Sequence, residues 1–265
     1  MRIGFIGTGK MAEAILASLI ESGLQAPADI CAGDIRESRR RQVKRRYAVR
    51  VTACNDVVVK SSDVLFLSIK PQDMDAALPL LAPGVTRKHL VLSIAAGKTL
   101  AYLEKMLPQA RVVRVMPNLA ASVGEAMSAY CMGSLVRAAD RKRVARLLSA
   151  FGTSIELKES LFDAVTALSG SGPAFFAYVL DALVAAGIQE GLSRKDALVL
   201  AEQTMFGTAR VLRDTQVTPA KLIASVASPK GTTAQGLAVL DASDIREVLG
   251  RAIAATARRS RELSG

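Results

Sequence analysis

Along the first 159 residues, short runs rich in β-branched and aliphatic side chains alternate with longer stretches of mixed polarity. The runs at 2–6, 29–34, 64–69, 90–94, 111–115, 126–131 and 154–157 predict strands. Between them, 11–22 and 140–151 carry apolar residues at three- and four-residue spacing, and Gly23 stops the first, so both predict crossover or flanking helices. Strand and helix in alternation make βαβ units, which assemble into a doubly wound, mainly parallel sheet of the α/β class.

From residue 160 the β pattern disappears. Residues 172–191, 193–214, 218–226, 233–241 and 243–263 all predict helices. Their starts carry capping chemistry: Ser193 ahead of Arg194, Lys195 and Asp196; Thr218 followed by Pro219; Ser243 and Asp244 ahead of Ile245. The division expected is therefore 1–159, an α/β domain, and 160–265, an all-α domain. The helices are apolar over wide faces, as at 174–186 and 197–209, and so short a helical segment makes a thin core by itself. A second subunit is expected to cover them.

Composition narrows the choice of function. Half of the 265 residues are hydrophobic, which excludes a disordered chain. The net charge of +11 suits nucleic acid, an acidic membrane surface or an anionic cofactor. Much of it lies in Arg36, Arg39, Arg40, Arg41, Lys44, Arg45, Arg46 and Arg50, with a smaller group at Arg137, Arg141, Lys142, Arg143 and Arg146. Both runs fall at helical spacing and read as solvated helix faces. With no Trp, only four Tyr and no aromatic residues interleaved among the cations, the stacking platform of a single-strand binder is missing, so nucleic acid is not an expected partner.

Cys31, Cys54 and Cys131 are odd in number, far apart and free of CxxC spacing, which predicts reduced core thiols and neither disulfide nor zinc. The lone His89, beside Arg87 and Lys88, reads as a surface residue, and no acidic or histidine spacing suggests a metal. The start of the chain runs straight into an apolar strand pattern, so no signal peptide is expected. The longest apolar stretch, 173–188, is interrupted by Asp181 and falls short of the roughly 20 residues that span a bilayer. A soluble, cytoplasmic protein without membrane partners is the expectation.

Immediately after the first predicted strand come Gly7, Thr8, Gly9, Lys10, Met11 and Ala12, the GxGxxG/A pattern. The first glycine permits a tight turn, the second lets backbone approach a pyrophosphate, and the small third residue lets helix and strand pack. A helix N-terminus then offers free N–H groups to the diphosphate. A triphosphatase loop is excluded, because Met11 follows Gly9 and Lys10 where a hydroxyl should hold magnesium. The choice between NADPH and NADH is left open: Asp34 at the end of the second strand suits a ribose 2′-hydroxyl, whereas Arg36, Arg39 and Arg40 suit a 2′-phosphate.

Near the other end, Ser228, Pro229, Lys230, Gly231, Thr232 and Thr233 form a turn-like segment feeding a helix, where hydroxyls and free N–H groups can hold a carboxylate, or where an ordinary helix simply begins. Taken with GTGKMAEAI at 7–15, SIKPQ at 68–72, RVMPN at 114–118 and ALSGSGPAF at 167–175, the segment SPKGTTAQGLAVLD at 228–241 resembles the pyrroline-5-carboxylate reductases over nearly the whole chain.

That resemblance implies an N-terminal Rossmann domain, a helical domain that dimerises, often further assembly into rings of dimers, and reduction of 1-pyrroline-5-carboxylate to proline with NADPH or NADH. It also implies that Gly7, Gly9, Lys10 and Met11 line the diphosphate, that Asn55 approaches the adenosine, and that Ile69, Lys70, Pro71 and Ala96 line the cofactor cleft. Ser228, Gly231, Thr232 and Thr233 are implied to hold the substrate carboxylate, with Thr233 near the ring nitrogen and a partner subunit contributing part of the loop. Two departures stand out: Asp34, where a small hydroxyl residue is frequent, and Lys230, where Gly is common. Two rivals share the architecture. A β-hydroxyacid dehydrogenase type would use a helix-borne lysine, for which only Lys195 and Lys221 are available, at polar helix starts; a dinucleotide-binding regulator would lack chemistry altogether.

Overall fold

The computed structural model describes residues 1–264. Eight strands form one sheet: β1 (Ile3–Ile6), β2 (Ile30–Gly33), β3 (Arg50–Thr52), β4 (Val64–Leu67), β5 (Leu90–Ser93), β6 (Arg111–Met116), β7 (Ala126–Met132) and β8 (Gly152–Glu156). Their order is β3-β2-β1-β4-β5-β6-β7-β8, with every neighbouring pair parallel except β6 and β7. All seven expected strands form. The eighth, β3, has only three residues, begins with Arg50 at the sheet edge and has no residue fully buried, so it carries no apolar pattern to read.

Six helices flank this sheet: α1 (Lys10–Glu21), α2 (Glu37–Tyr47), α3 (Asn55–Lys60), α4 (Met74–Leu81), α5 (Leu100–Met106) and α6 (Ala138–Leu148). The central strands are apolar on both faces because both faces are covered. Ile3, Phe5, Val64, Phe66, Leu90, Leu92, Val113 and Val115 point to the layer holding α1 and α6. Ile6, Leu65, Leu67, Val91 and Val112 point to the layer holding α3, α4 and α5. Phe5 and Phe66 stack with ring centroids 4.9 Å apart, and burying each contributes roughly 2–3 kcal/mol.

The helices that follow are α7 (Phe162–Val165), α8 (Gly172–Gln189), α9 (Arg194–Thr215), α10 (Pro219–Val226), α11 (Thr232–Ala242) and α12 (Ile245–Ser264). Ser193 Oγ accepts from Asp196 N (3.1 Å) and Thr218 Oγ1 from Lys221 N (3.3 Å), so two of the expected caps form. Two compact units result. One comprises Met1–Ser171 together with the chain from Thr256; the other is Gly172–Ala255. Strand structure ends at Glu156, yet the first unit continues through α7 and a π-helical turn at Thr166–Gly170. Within it, Ser260 Oγ of α12 donates to Asp163 Oδ1 (2.6 Å).

The second unit buries very little. Phe176 is 64% exposed, Tyr178 79%, Val199 57% and Phe206 56%, and an apolar groove lined by Phe176, Val179, Leu183, Leu200, Met205 and Leu212 runs between α8 and α9. Through α7 and the π turn, the apolar stretch of α8 joins a helical run, Glu159–Gln189, long and apolar enough to cross a membrane by length and composition. The sequence pattern understated it, because the upstream turns carry the helix past the apolar residues.

Two sequence expectations are corrected. Cys31 and Cys131 are buried thiols, but Cys54 is exposed, since it immediately precedes α3 at the sheet's end. His89 is fully buried instead of lying on the surface. Its Nδ1 accepts from Thr86 N (2.9 Å), which leaves Nε2 to donate to Val59 O (3.2 Å), so the ring ties the turn before β5 to the end of α3. The neighbouring cations point to solvent while the histidine turns inward.

Burial pushes the His89 pKa below its ordinary value of 6.5. The unfolded chain therefore binds this proton more tightly, and stability that is fully present above pH 6.5 is lost as pH falls below it through the folded-state value. Replacing His89 with Gln is expected to flatten the pH dependence of the urea midpoint between about pH 7.5 and 5. A variant whose midpoint still falls with acid as steeply as the parent's would remove His89 as the responsible group.

Candidate active site

The sheet order reverses direction between β1 and β4, one strand being followed through β2 and β3 and the other through β5 and β6. Ligands of open α/β sheets bind at such a point, outside the carboxyl ends of the strands. Here those ends carry the GxGxxA turn. Gly7 has φ +91°, and a Cβ on it would lie 2.9 Å from Ser68 O and 3.0 Å from Ile69 Cγ2, so no side chain fits. Gly7 N donates to Gly33 O (2.8 Å), which sets the turn against β2.

Gly9 is the N-cap of α1, with no side chain capping the helix. A Cβ on Gly9 would meet nothing within 4 Å, so there is open space directly over the free N–H groups of the first turn. Lys10 is exposed in that turn, Met11 is half-buried, and Ala12 packs against the core. Open volume over a glycine, unsatisfied donors and the positive end of a 12-residue helix fit a diphosphate.

At the end of β2, Asp34 is buried and saturated. Oδ2 accepts from Thr8 N (3.1 Å), Thr8 Oγ1 (2.8 Å) and Arg36 Nη2 (3.2 Å); Oδ1 accepts from Arg36 N (2.9 Å) and Nε (3.1 Å). Burial favours the protonated acid, but the hydrogen bonds from Arg36 and Thr8 outweigh it and hold the pKa at about 2. Arg39 is turned inward: Nε donates to Thr8 O (2.5 Å), Nη1 to Gln42 Oε1 (2.8 Å), and Nη2 pairs with Glu13 of α1. The solvated-face reading of this run therefore fails at Arg39 and holds for Arg41, Lys44 and Arg45, which are exposed.

The other expected cofactor contacts gather at the same sheet edge. Asn55 starts α3, its Oδ1 2.9 Å from where a Cβ on Gly33 would lie. Ile69, Lys70 and Pro71 follow β4, with Ile69 against the glycine turn, and Ala96 follows β5. Pro71 and Ala96 open onto a cavity of about 550 Å³ that Lys98, Ser171 and Arg259 also line. Lys98 is steadied by Asp75 (3.4 Å) and by the Tyr102 ring (4.2 Å to its centroid). Thr8, Lys98 and Arg259 were not legible as site residues. Thr8 is a variable position of the glycine pattern, and Arg259 lies 188 positions from Pro71 in a helix whose charges look like solvated face.

The Ser228–Thr233 segment lies in the helical unit. Gly231 N donates to Ser228 O (3.0 Å), and a Cβ on Gly231 would lie 2.3 Å from Ser228 Oγ and 3.1 Å from Ser228 O, so a side chain there would have to turn the serine hydroxyl aside. Lys230 has φ +59°, the left-handed conformation that glycine adopts without cost, which explains why Gly is common at this place in the resembled pattern. Gly231 is the N-cap of α11 and provides no side-chain cap, unlike Ser193 and Thr218 at α9 and α10. Among the described residues the hydroxyls of Ser228, Thr232 and Thr233 form no hydrogen bond. Free hydroxyls beside free N–H groups at a helix start can hold a carboxylate. Lys195 and Lys221 both lie exposed at helix starts.

Residues 159–263 match the family model described as pyrroline-5-carboxylate reductase dimerisation, and residues 2–97 match that of the coenzyme F420-dependent NADP oxidoreductases. A pyrroline-5-carboxylate reductase of Methanosarcina acetivorans is 42% identical over 263 residues, covering 99% of this chain and 97% of the relative. The solved structure of the Coxiella burnetii enzyme superposes with a TM-score of 0.94 at 33% identity, covering 100% of this chain and 98% of that one. The Plasmodium falciparum pyrroline carboxylate reductase, solved with NADP bound, superposes at 0.89 with 26% identity, covering 100% and 98%. With both halves matched and the relatives covered end to end, the chain belongs to the pyrroline-5-carboxylate reductase family.

Proposed function

We propose that this chain reduces the C=N bond of 1-pyrroline-5-carboxylate to give L-proline, the last step of proline biosynthesis, with NADPH or NADH as reductant. The observation that carries this reading is the 42% identity with a reductase over 99% of the chain, and the open glycine turn and the uncapped start of α11 support it. When bound, the dinucleotide supplies a hydride from nicotinamide C4 to C5 of the imine.

The chain's own residues bind and orient. Gly7, Gly9, Lys10 and Met11 hold the diphosphate; Asp34, Arg36 and Asn55 surround the adenosine end; Ile69, Lys70, Pro71 and Ala96 line the cleft towards the nicotinamide. Ser228, Gly231, Thr232 and Thr233 hold the substrate carboxylate, and Thr233 hydrogen-bonds the ring nitrogen as it becomes an amine. Protonation of the imine nitrogen already makes C5 electrophilic, so positioning provides most of the acceleration. Residues 160–265 act as the dimerisation and substrate-binding domain, and dimers assemble further into a ring. The apolar run Glu159–Gln189 serves this assembly and not a bilayer, which agrees with a soluble, cytoplasmic enzyme.

Substrate-dependent oxidation of NADPH or NADH by the purified protein tests the reaction; dinucleotide binding without imine-dependent oxidation would sink it. The Thr233→Ala variant is expected to lose about tenfold to a thousandfold in turnover with dinucleotide affinity nearly intact. Parent-like turnover would remove the role of Thr233. The two glycines of the cradle should separate in behaviour. Gly9→Ala fills space without a clash, so it should fold normally and bind dinucleotide at least about tenfold more weakly, whereas Gly7→Ala should lower the melting temperature as well. Equal melting temperatures for the two variants would contradict the geometry.

A further inference from the structure

The second basic run, on α6, has no part in the reductase site, and its cations divide by their partners. Arg141 pairs with Glu156 of β8. Asp140, the one acid of the helix, is already engaged: Oδ1 accepts from the buried Arg111 and Oδ2 from Arg137 N (3.0 Å), which leaves Arg143 at 3.9 Å from Oδ1. Lys142 and Arg146 have no acid partner among the described residues, and they stand one turn apart, where like charges work against the helix.

Lys142, Arg143 and Arg146 line one side of a cavity of about 500 Å³, within the range of roughly 300–1,000 Å³ usual for small-molecule sites. The other side is the turn from α1 into β2, which supplies Gln25 and Asp29. Met1, just ahead of β1, also lines it, so the cavity sits at the amino ends of β1 and β2, the end of the sheet opposite to the glycine turn. Gln25 is 6% exposed; its Nε2 donates to Met1 O (2.6 Å) and Asp29 Oδ2 (3.2 Å), while Oε1 accepts nothing among the described residues. Asp29 is the one acid lining the cavity among the described residues, and it forms an ion pair with none of the three cations. One side is therefore positive, the other presents free oxygen acceptors, and neither neutralises the other. Leu24 and Leu147 complete the lining with apolar surface.

We infer that this cavity is a binding site, separate from the cofactor cleft, for a phosphorylated polyol. The phosphate meets Arg143, Arg146 and Lys142, where guanidinium forks match its oxygens. Hydroxyls of the same molecule donate to Gln25 Oε1 and to the Asp29 carboxylate. A bare anion would satisfy the α6 side alone, and an uncharged sugar only the acceptors.

The test is calorimetric titration of the full chain, saturated with NADP so that the glycine turn is occupied, with ribose 5-phosphate, inorganic phosphate and ribose. Ribose 5-phosphate is expected to saturate one site per chain and to bind about tenfold more tightly than inorganic phosphate, with ribose giving no saturable signal. Arg146→Gln should weaken ribose 5-phosphate by about tenfold or more and Lys142→Gln by a smaller factor, with the melting temperature of each variant unchanged. Arg45→Gln, which removes an exposed cation of α2 outside the cavity, should leave the affinity within about twofold. No saturable binding of ribose 5-phosphate, or an equal loss in Arg45→Gln and Arg146→Gln, would overturn the site. Inorganic phosphate binding as tightly as ribose 5-phosphate would overturn the polyol as its ligand.

Discussion

The close approach of the ends of β1 and β4 is the constraint from which the site follows. They pair in register, Ile6 opposite Leu67, yet the chain must leave β1 towards α1 while Ser68 continues past it. Only a residue without a side chain and with φ near +91° passes between Ser68 O and the next turn. Once Gly7 makes that exit, Gly9 arrives at the start of α1 with its N–H groups facing open space, and Thr8 is delivered to Asp34. A cradle for an anion is thus a by-product of packing two parallel strands out of sequence.

That turn is then locked by charge. Asp34 receives both the backbone and the hydroxyl of Thr8, while Arg39 reaches from α2 to Thr8 O and across to Glu13 of α1. The same few groups therefore fasten β2, α1, α2 and the glycine turn to one another. A binding loop held this way loses little freedom when its ligand arrives, which is how structural hydrogen bonds become affinity.

Much of this is legible in the sequence. Strands with continuous aliphatic character announce a sheet covered on both faces, and the GxGxxA turn announces its exit helix, because both patterns are local. What escaped was set by partners far away in sequence. The edge strand β3 is held by pairing with β2 rather than by its own residues. His89 is placed by Val59 and Thr86, and Cys54 by its position just ahead of α3, none of which a neighbouring charge or a cysteine count reveals. Asp34 and its arginines read as contradictory for the same reason: the sequence shows that four charges are present, and only the hydrogen bonds show which of them are already spent.

The helical unit presents the opposite situation, for its sequence pattern was clear and its meaning lies outside one copy of the chain. Faces bearing Phe176, Tyr178, Val199 and Phe206 would cost more in exposed apolar surface than so small a set of helices can offset internally. A family dimerisation model covers the same residues, 159–263, so a second copy is what completes this core. The Ser228–Thr233 turn is carried on those helices, between α10 and α11, and neither helix has a residue that is fully buried within the single chain. A turn that holds Lys230 in a glycine-like conformation needs rigid flanks to keep its shape. The family dimerisation model spans both of those flanks and the turn between them, so the segment that needs support lies inside the segment whose apolar faces are uncovered in a single copy.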